Sequence, residues 1–262
     1  MRRLELASVL LFWAQLAQSV SIGSRVVGGQ EATPGAYPWQ IYAEGFANGQ
    51  VVYGCGGTLI SDRHVLTAAQ CFEGAQIVRV YLGAHNVSAT NEPNRVIMET
   101  TDFTIHPEFS TNYYDNDIAV ITLPRQVTIN TYIDVANLPT GGDVGSDFLG
   151  AEGVFAGWGS SDGINSLTSI LRFSRNTVVS KVECEAHYGV NWMSAAKLCV
   201  ETANQAGPCY GDAGSALIRE SDKTIIGIFS FLDKLGCLNG FAVGFTRVGQ
   251  YVDWINGIVN GK

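Results

Sequence analysis

Turn residues cut this chain into short β-type runs, and that property limits its fold more than any other. "IVRVYLG" (77–83), "RVIMETTDF" (95–103), "DIAVITL" (117–123) and "TIIGIFSF" (224–231) are rich in Val, Ile, Phe and Tyr, with Gly, Asn, Asp and Pro between such runs. β-branched and aromatic side chains suit a pleated surface, and frequent turns keep strands short. Many such strands in one chain point to a β sandwich or barrel. A single all-β unit can reach 262 residues. With 46% hydrophobic and 15% charged residues the chain can bury a sizeable core, and no low-complexity tract or internal repeat interrupts it. Near the end the period changes. Tyr251, Val252, Trp254, Ile255, Ile258 and Val259 recur at helical spacing, so a closing amphipathic helix is expected.

The first residues are of another kind. "MRRLE" is basic, and "LASVLLFWAQLA" is apolar but shorter than the ~20 residues that span a bilayer. Small Ala17 and Ser19 then stand at the spacing a signal peptidase reads. The expected organisation is a signal peptide at 1–19, a short propeptide at 20–25 and one domain at 26–262, in a secreted, extracellular protein. Removing residues 1–25 takes three of the 16 basic residues (Arg2, Arg3, Arg25) and one of the 24 acidic ones (Glu5). The mature charge is then 13 minus 23, or −10. Nucleic acid and anionic membrane are therefore not expected as partners.

Six cysteines, Cys55, Cys71, Cys184, Cys199, Cys209 and Cys237, fit an oxidising compartment. No C-x-x-C pair occurs, so zinc is not expected, and the spacing alone does not choose among the pairings. "NVS" makes Asn86 a candidate glycan acceptor on a surface loop. Periodicity and composition stop at a secreted, disulfide-linked, mostly β protein.

Five motifs go further. "RVVGG" (25–29), "LTAAQC" (66–71), "DNDIAV" (115–120), "AGWG" (156–159) and "CYGDAG" (209–214) occur in this order. Together they resemble the chymotrypsin family of serine proteases, whose corresponding strings read IVGG, LTAAHC, DIAL, GWG and GDSGGP. The likeness runs from Arg25 to the last helix, and "GFAVGFTRV" after Cys237 is similar to insect members, which suggests an arthropod source. The resemblance implies two six-stranded antiparallel β barrels, a cleft between them and a C-terminal helix. It also implies the disulfides Cys55–Cys71, Cys184–Cys199 and Cys209–Cys237.

The family's chemistry needs a Ser nucleophile, a His base, an Asp that orients the His, and two backbone N–H groups for the oxyanion. By resemblance Asp117 fills the Asp position, but the His position holds Gln70 and the Ser position Ala213. A methyl group cannot attack a carbonyl, and a glutamine amide is not a base near neutral pH. None of the four histidines, His64, His85, His106 and His187, is expected to reach the cleft. The triad is therefore read as degenerate. Asp117 is expected to bond the Gln70 amide, which would satisfy a buried carboxylate.

The supporting parts look intact. In the family, cleavage after the Arg frees a new N-terminus, here Val26 after Arg25. Its ammonium inserts beside the Asp before the nucleophile, here Asp212, and orders the oxyanion loop formed by the Gly211 and Ala213 N–H groups. The specificity pocket is altered. Gly207 stands at its base where trypsin-like members carry Asp, and Leu232 and Val243 replace glycines at its mouth and wall. Two small-to-large changes should narrow or plug it. Ala84 replaces the acidic residue of a calcium site found in trypsins, so no metal and no cofactor is expected.

The reading is a secreted, catalytically inactive protease homologue that acts by binding protein. Its partner would be a protease, an inhibitor, a protease substrate or a host factor, and the chain is expected to be a monomer. The alternatives are a residual or unconventional endopeptidase, and a storage or structural protein without a specific partner.

Overall fold

The computed structural model describes residues 29–161, 163, 167–202 and 206–261. The expected signal peptide, propeptide and Arg25–Val26 bond lie outside the described residues. Two antiparallel sheets form the molecule. The first contains β2 (Gln40–Ala47), β3 (Gln50–Leu59), β4 (His64–Thr67), β5 (Ile77–Leu82), β6 (Val96–Thr100), β7 (Phe103–Ile105) and β8 (Ala119–Thr122), in the order β6-β5-β2-β3-β4-β8-β7. The second contains β1 (Gln30–Glu31), β9 (Glu152–Gly157), β10 (Arg172–Val179), β11 (Lys197–Val200), β12 (Ala216–Arg219), β13 (Thr224–Phe231) and β14 (Val243–Arg247). Its order is β1-β10-β11-β14-β13-β12-β9, and β9 pairs back onto β10.

That last pairing closes six strands into a barrel, with the two-residue β1 appended outside it. The first sheet stays open. Its chain bends at Thr101 and Asp102, so that β6 pairs with β5 while β7 pairs with β8, and no ladder joins β6 to β7. The trypsin-like all-β fold implied by the resemblance is thus present as a closed barrel and a half-barrel. The four strand runs read from sequence fall on β5, on β6 with β7, on β8 and on β13.

The closing helix also forms. A 3-10 turn at Val248–Tyr251 leads into α2 (Val252–Val259), which buries Ile255. Sequence reading missed a second helix, α1 (Lys181–Tyr188). Its signal was present: Ser180 caps it by accepting a hydrogen bond from the Glu183 N–H at 3.2 Å, the Ser-x-x-Glu pattern of a helix start.

Inside the closed barrel Phe155, Phe229 and Phe245 meet at ring centroid distances of 6.1, 6.1 and 5.5 Å. Each is at most 3% exposed, and full burial of such a side chain stabilises by about 1.5–3 kcal/mol. The three disulfides pair as the resemblance implied, with Cα–Cα distances of 6.1, 6.0 and 5.4 Å. Cys55–Cys71 ties β3 to the turn that carries Gln70. Cys184–Cys199 ties α1 to β11. Cys209–Cys237 ties the segment before Ala213 to the loop after β13.

Candidate functional site

The residues that the sequence reading assigns to the triad positions come together. Gln70 sits on a 3-10 turn (Ala69–Cys71) after β4, Asp117 just before β8, Ser230 in β13, and Ala213 in the turn that leads into β12. The Gln70 side-chain Nε2 donates to Asp117 Oδ2 at 2.6 Å and to the Ser230 carbonyl at 2.7 Å. Both neighbours accept, so the amide nitrogen must face them and the amide cannot be flipped. The Gln70 backbone N–H adds a bond to Asp117 Oδ1 at 2.9 Å, and the Ser230 hydroxyl donates to Oδ2 at 2.6 Å.

Asp117 is fully buried. Burial pushes its carboxyl up to about 6, against the opposing pull of Ser230 and Gln70. Desolvation wins even with this set of donors. What remains is a satisfied polar knot rather than a proton relay: the amide holds the carboxylate but cannot take up a proton from a nucleophile.

Ala213 turns a half-buried methyl towards the same cavity, and its carbonyl accepts from the Gly56 N–H at 2.8 Å. Among the described residues neither the Gly211 nor the Ala213 N–H has a protein acceptor. Gly214, at φ +89°, approaches the Gly56 carbonyl and Thr67 Oγ1 too closely for any Cβ. Asp212 is fully buried and lies against Gly157 and Gly159, where a side chain would collide with its carboxylate. It accepts from the Gly159 N–H at 2.7 Å and the Cys209 N–H at 3.0 Å. Burial pushes its carboxyl up to about 7, with the two N–H bonds opposing.

A cavity of about 680 Å³ opens beside this frame, and Gln70, Gly211, Ala213 and Leu232 all line it. Gly207 and Val243 do not. Gly207 is buried, and a Cβ there would meet Thr202 Cγ2 at 2.9 Å. Val243 is 2% exposed, opposite Val200 in the β11–β14 ladder and in one cluster with Phe229. Leu232 packs on that cluster and against the Cys209–Cys237 pair. Of the three positions assigned to a specificity pocket, Leu232 lines the cavity while Gly207 and Val243 are buried outside it.

The opening lies instead to one side, among Tyr114, Tyr188, Trp192 and Phe231. Sequence reading did not find this aromatic recess, because its rings come from four segments with no shared period. One expectation fails here: His187 does reach the cavity. It stands on the unrecognised α1, with Nε2 3.0 Å from Asp233 Oδ2 and its ring stacked on Phe241 at 3.7 Å. Among the described residues its ring nitrogen bonds a carboxylate and no hydroxyl or thiol. The other histidines stay outside the cavity. His64 bonds Ser61, His85 lies beside the Trp158–backbone contact, and His106 packs between Tyr251 and Trp254.

Ala84 is a buried methyl at the calcium-site position, and among the described residues no three His, Cys, Asp or Glu side chains converge to hold a metal. Asn86 is part-buried, and its Oδ1 accepts from the Ser88 N–H at 3.1 Å. Among the described residues no helix is long and apolar enough to cross a membrane.

Comparison with known proteins fits this geometry. The trypsin family profile matches residues 26–255. A chymotrypsin of Phaedon cochleariae is 36% identical over 230 residues, covering 88% of this chain and 80% of its own. A brachyurin of Leptuca pugilator is 38% identical over 231 residues, with 88% and 96% covered. The solved structure of HL collagenase superposes with a TM-score of 0.82 at 30% identity, over 90% of this chain and all of the other.

Proposed function

The chain belongs to the trypsin family of serine proteases, and from that premise we propose that it is a non-catalytic member that acts by binding protein. The observation that carries this reading is the Gln70 side chain, which spends both amide hydrogens on Asp117 and Ser230 opposite a methyl at position 213. Triad members act as a unit, and without the nucleophile no acyl-enzyme forms. Chymotrypsin and collagenase are the names of enzymes; this chain departs from the family's motifs at the reactive atoms, Gln70 and Ala213, as well as at the pocket positions Gly207, Leu232 and Val243.

The retained frame supports binding. The oxyanion N–H groups and the cavity beside them remain open to a peptide carbonyl and its side chains. A closed primary pocket disfavours a decoy for inhibitors that insert a side chain there. It favours a competitor for protease substrates or an adaptor in a protease cascade, gripped at the rim. Secretion as a monomer, with the apolar leader removed and no cofactor, belongs to the same proposal, as does an arthropod source. Cleavage at Arg25–Val26 would supply the ammonium that the buried Asp212 lacks a charged substitute for among the described residues.

The test is retention of a mixed peptide library on the immobilised chain starting at Val26. Saturable capture of intact, uncleaved peptides is the expected result. Capture followed by release of fragments would overturn the proposal.

A further inference from the structure

We infer that Arg95 is an internal cation around which residues 84–95 fold. The loop so formed straps the half-barrel to the closed barrel and positions the segment that holds Asp212, whatever the cleft binds. Arg95 stands just before β6, and its side chain is 5% exposed. Its guanidinium collects oxygen atoms. Nη1 donates to the Asn86 carbonyl at 3.3 Å, and Nη2 donates to the carbonyls of Ala89 and of Thr90, the latter at 3.3 Å. Glu92 supplies the negative charge, with Oε2 3.8 Å from Nη1, and the Tyr81 ring centroid lies 5.8 Å from the guanidinium carbon.

Three carbonyls turned towards one point repel one another unless positive charge lies between them. A planar guanidinium meets that need with several donors in a fixed fork. Glu92 depends on the same charge. Its Oε1 accepts from the His85 N–H at 2.9 Å and the Asn86 N–H at 2.8 Å. Its Oε2 is buried and has no hydrogen bond among the described residues. A buried carboxylate oxygen without a donor is costly, so the nearby guanidinium is what makes this placement tolerable.

The folded loop reaches across to the other sheet. The His85 carbonyl accepts from the Leu171 N–H at 2.8 Å and from the Trp158 indole N–H at 3.0 Å. The Val87 N–H donates to the Ser169 carbonyl at 2.9 Å, and Asn86 bridges to Ile170. His85 and Val87 follow β5 of the half-barrel, whereas Trp158 follows β9 and Leu171 precedes β10 of the closed barrel. Next to Trp158, the Gly159 N–H donates to Asp212 Oδ1 at 2.7 Å. Arg95 is thus a positioning residue. It shapes the loop through Asn86, Ala89, Thr90 and Glu92, and the loop holds the Trp158–Gly159 segment.

Arg95→Ala removes from the loop the atoms of ethylguanidinium, and ethylurea has nearly the same shape without the charge. Hydrogen exchange in the chain starting at Val26 is read at the Leu171, Val87 and Gly159 amides and the Trp158 indole. In Arg95→Ala the Leu171, Val87 and Trp158 protons are expected to exchange about tenfold faster or more, and Gly159 less so, while β13 and β14 keep wild-type rates. Millimolar ethylguanidinium should bring the rates to within about twofold of wild type, and ethylurea at the same concentration should not. Unchanged exchange at Leu171 and Val87 in folded Arg95→Ala, or rescue by both compounds or by neither, would overturn the internal cation. An unchanged Gly159 would overturn its link to Asp212. If Arg95→Ala does not fold, the wild-type chain still decides. Arg95 Nη protons held by three carbonyls should give separate, slowly exchanging resonances, and a single averaged signal would overturn the inference.

Discussion

Gln70 Nε2 lies 2.6 Å from Asp117 Oδ2, an amide donating to a fully buried carboxylate where the family's proton relay would run. The contact explains how the fold accommodates a fully buried aspartate beside a glutamine. A buried carboxylate without donors is costly, and the amide supplies the donor without supplying a base.

Gln70→Ala should therefore destabilise the fold by about 1–3 kcal/mol, the cost of stripping a partner from a buried polar group. It should also push the Asp117 carboxyl further above about 6. Chemical denaturation and carbon NMR of the carboxyl check both effects. Gln70→His, which keeps a donor, should cost less.

Stability should fall as pH rises towards neutrality. Asp117 and Asp212 are raised by burial to about 6 and about 7. Folding then takes up protons between roughly pH 4 and 7. The contribution of these groups is fully present below about pH 4, is lost through their folded values, and levels off above pH 7. Each contributes a slope of up to about 1.4 kcal/mol per pH unit within its window. Asp222, held low by Arg219, has the opposite sign and acts in more acidic solution. Urea titrations from pH 4 to 8 should show the slope, reduced in Asp212→Asn. Cleavage at Arg25–Val26 should flatten it too, if the new ammonium reaches Asp212.

Replacing Cys184 and Cys199 by Ser should cost about 3 kcal/mol from the restored freedom of the unfolded chain. The local effect should be larger at α1, which the bond fastens to β11. Hydrogen exchange across 181–192 is expected to rise more than exchange in β12 and β13.

Val243→Ala should destabilise by about 2 kcal/mol, since Val243 is buried in the cluster that also holds Val200 and Phe229. Leu232→Gly, at a half-buried position, should cost less and widen the cavity. In a chain with Gln70→His and Ala213→Ser, Leu232→Gly should raise kcat/KM for peptides with a bulky side chain before the scissile bond by about tenfold, close to 1.4 kcal/mol. Steady-state hydrolysis checks this.

The legible parts of the molecule were those written in short windows. Strands showed in runs such as "TIIGIFSF", α2 in the spacing of Trp254, Ile255 and Ile258, and the positions Gln70, Asp117 and Ala213 in three six-residue motifs. The helix α1 was missed because its composition is polar, with Cys184 its sole buried residue. His187 was lost with it. The recess could not be read from Tyr114, Tyr188, Trp192 and Phe231, which only tertiary packing brings together. Arg95 is one cation in a polar loop, and no local pattern reveals its burial. The bend at Thr101 and Asp102, which splits one strand between two partners, also carries no periodic signal.

The most direct test of the central claim is peptide hydrolysis across a mixed substrate library. The chain starting at Val26 and its Gln70→His, Ala213→Ser variant are assayed side by side. A silent parent beside an active variant is expected, since on this account the buried frame around Asp117 and Asp212 is kept while positions 70 and 213 carry no base and no nucleophile. Hydrolysis by the parent, above the background of a folded control, would contradict the claim.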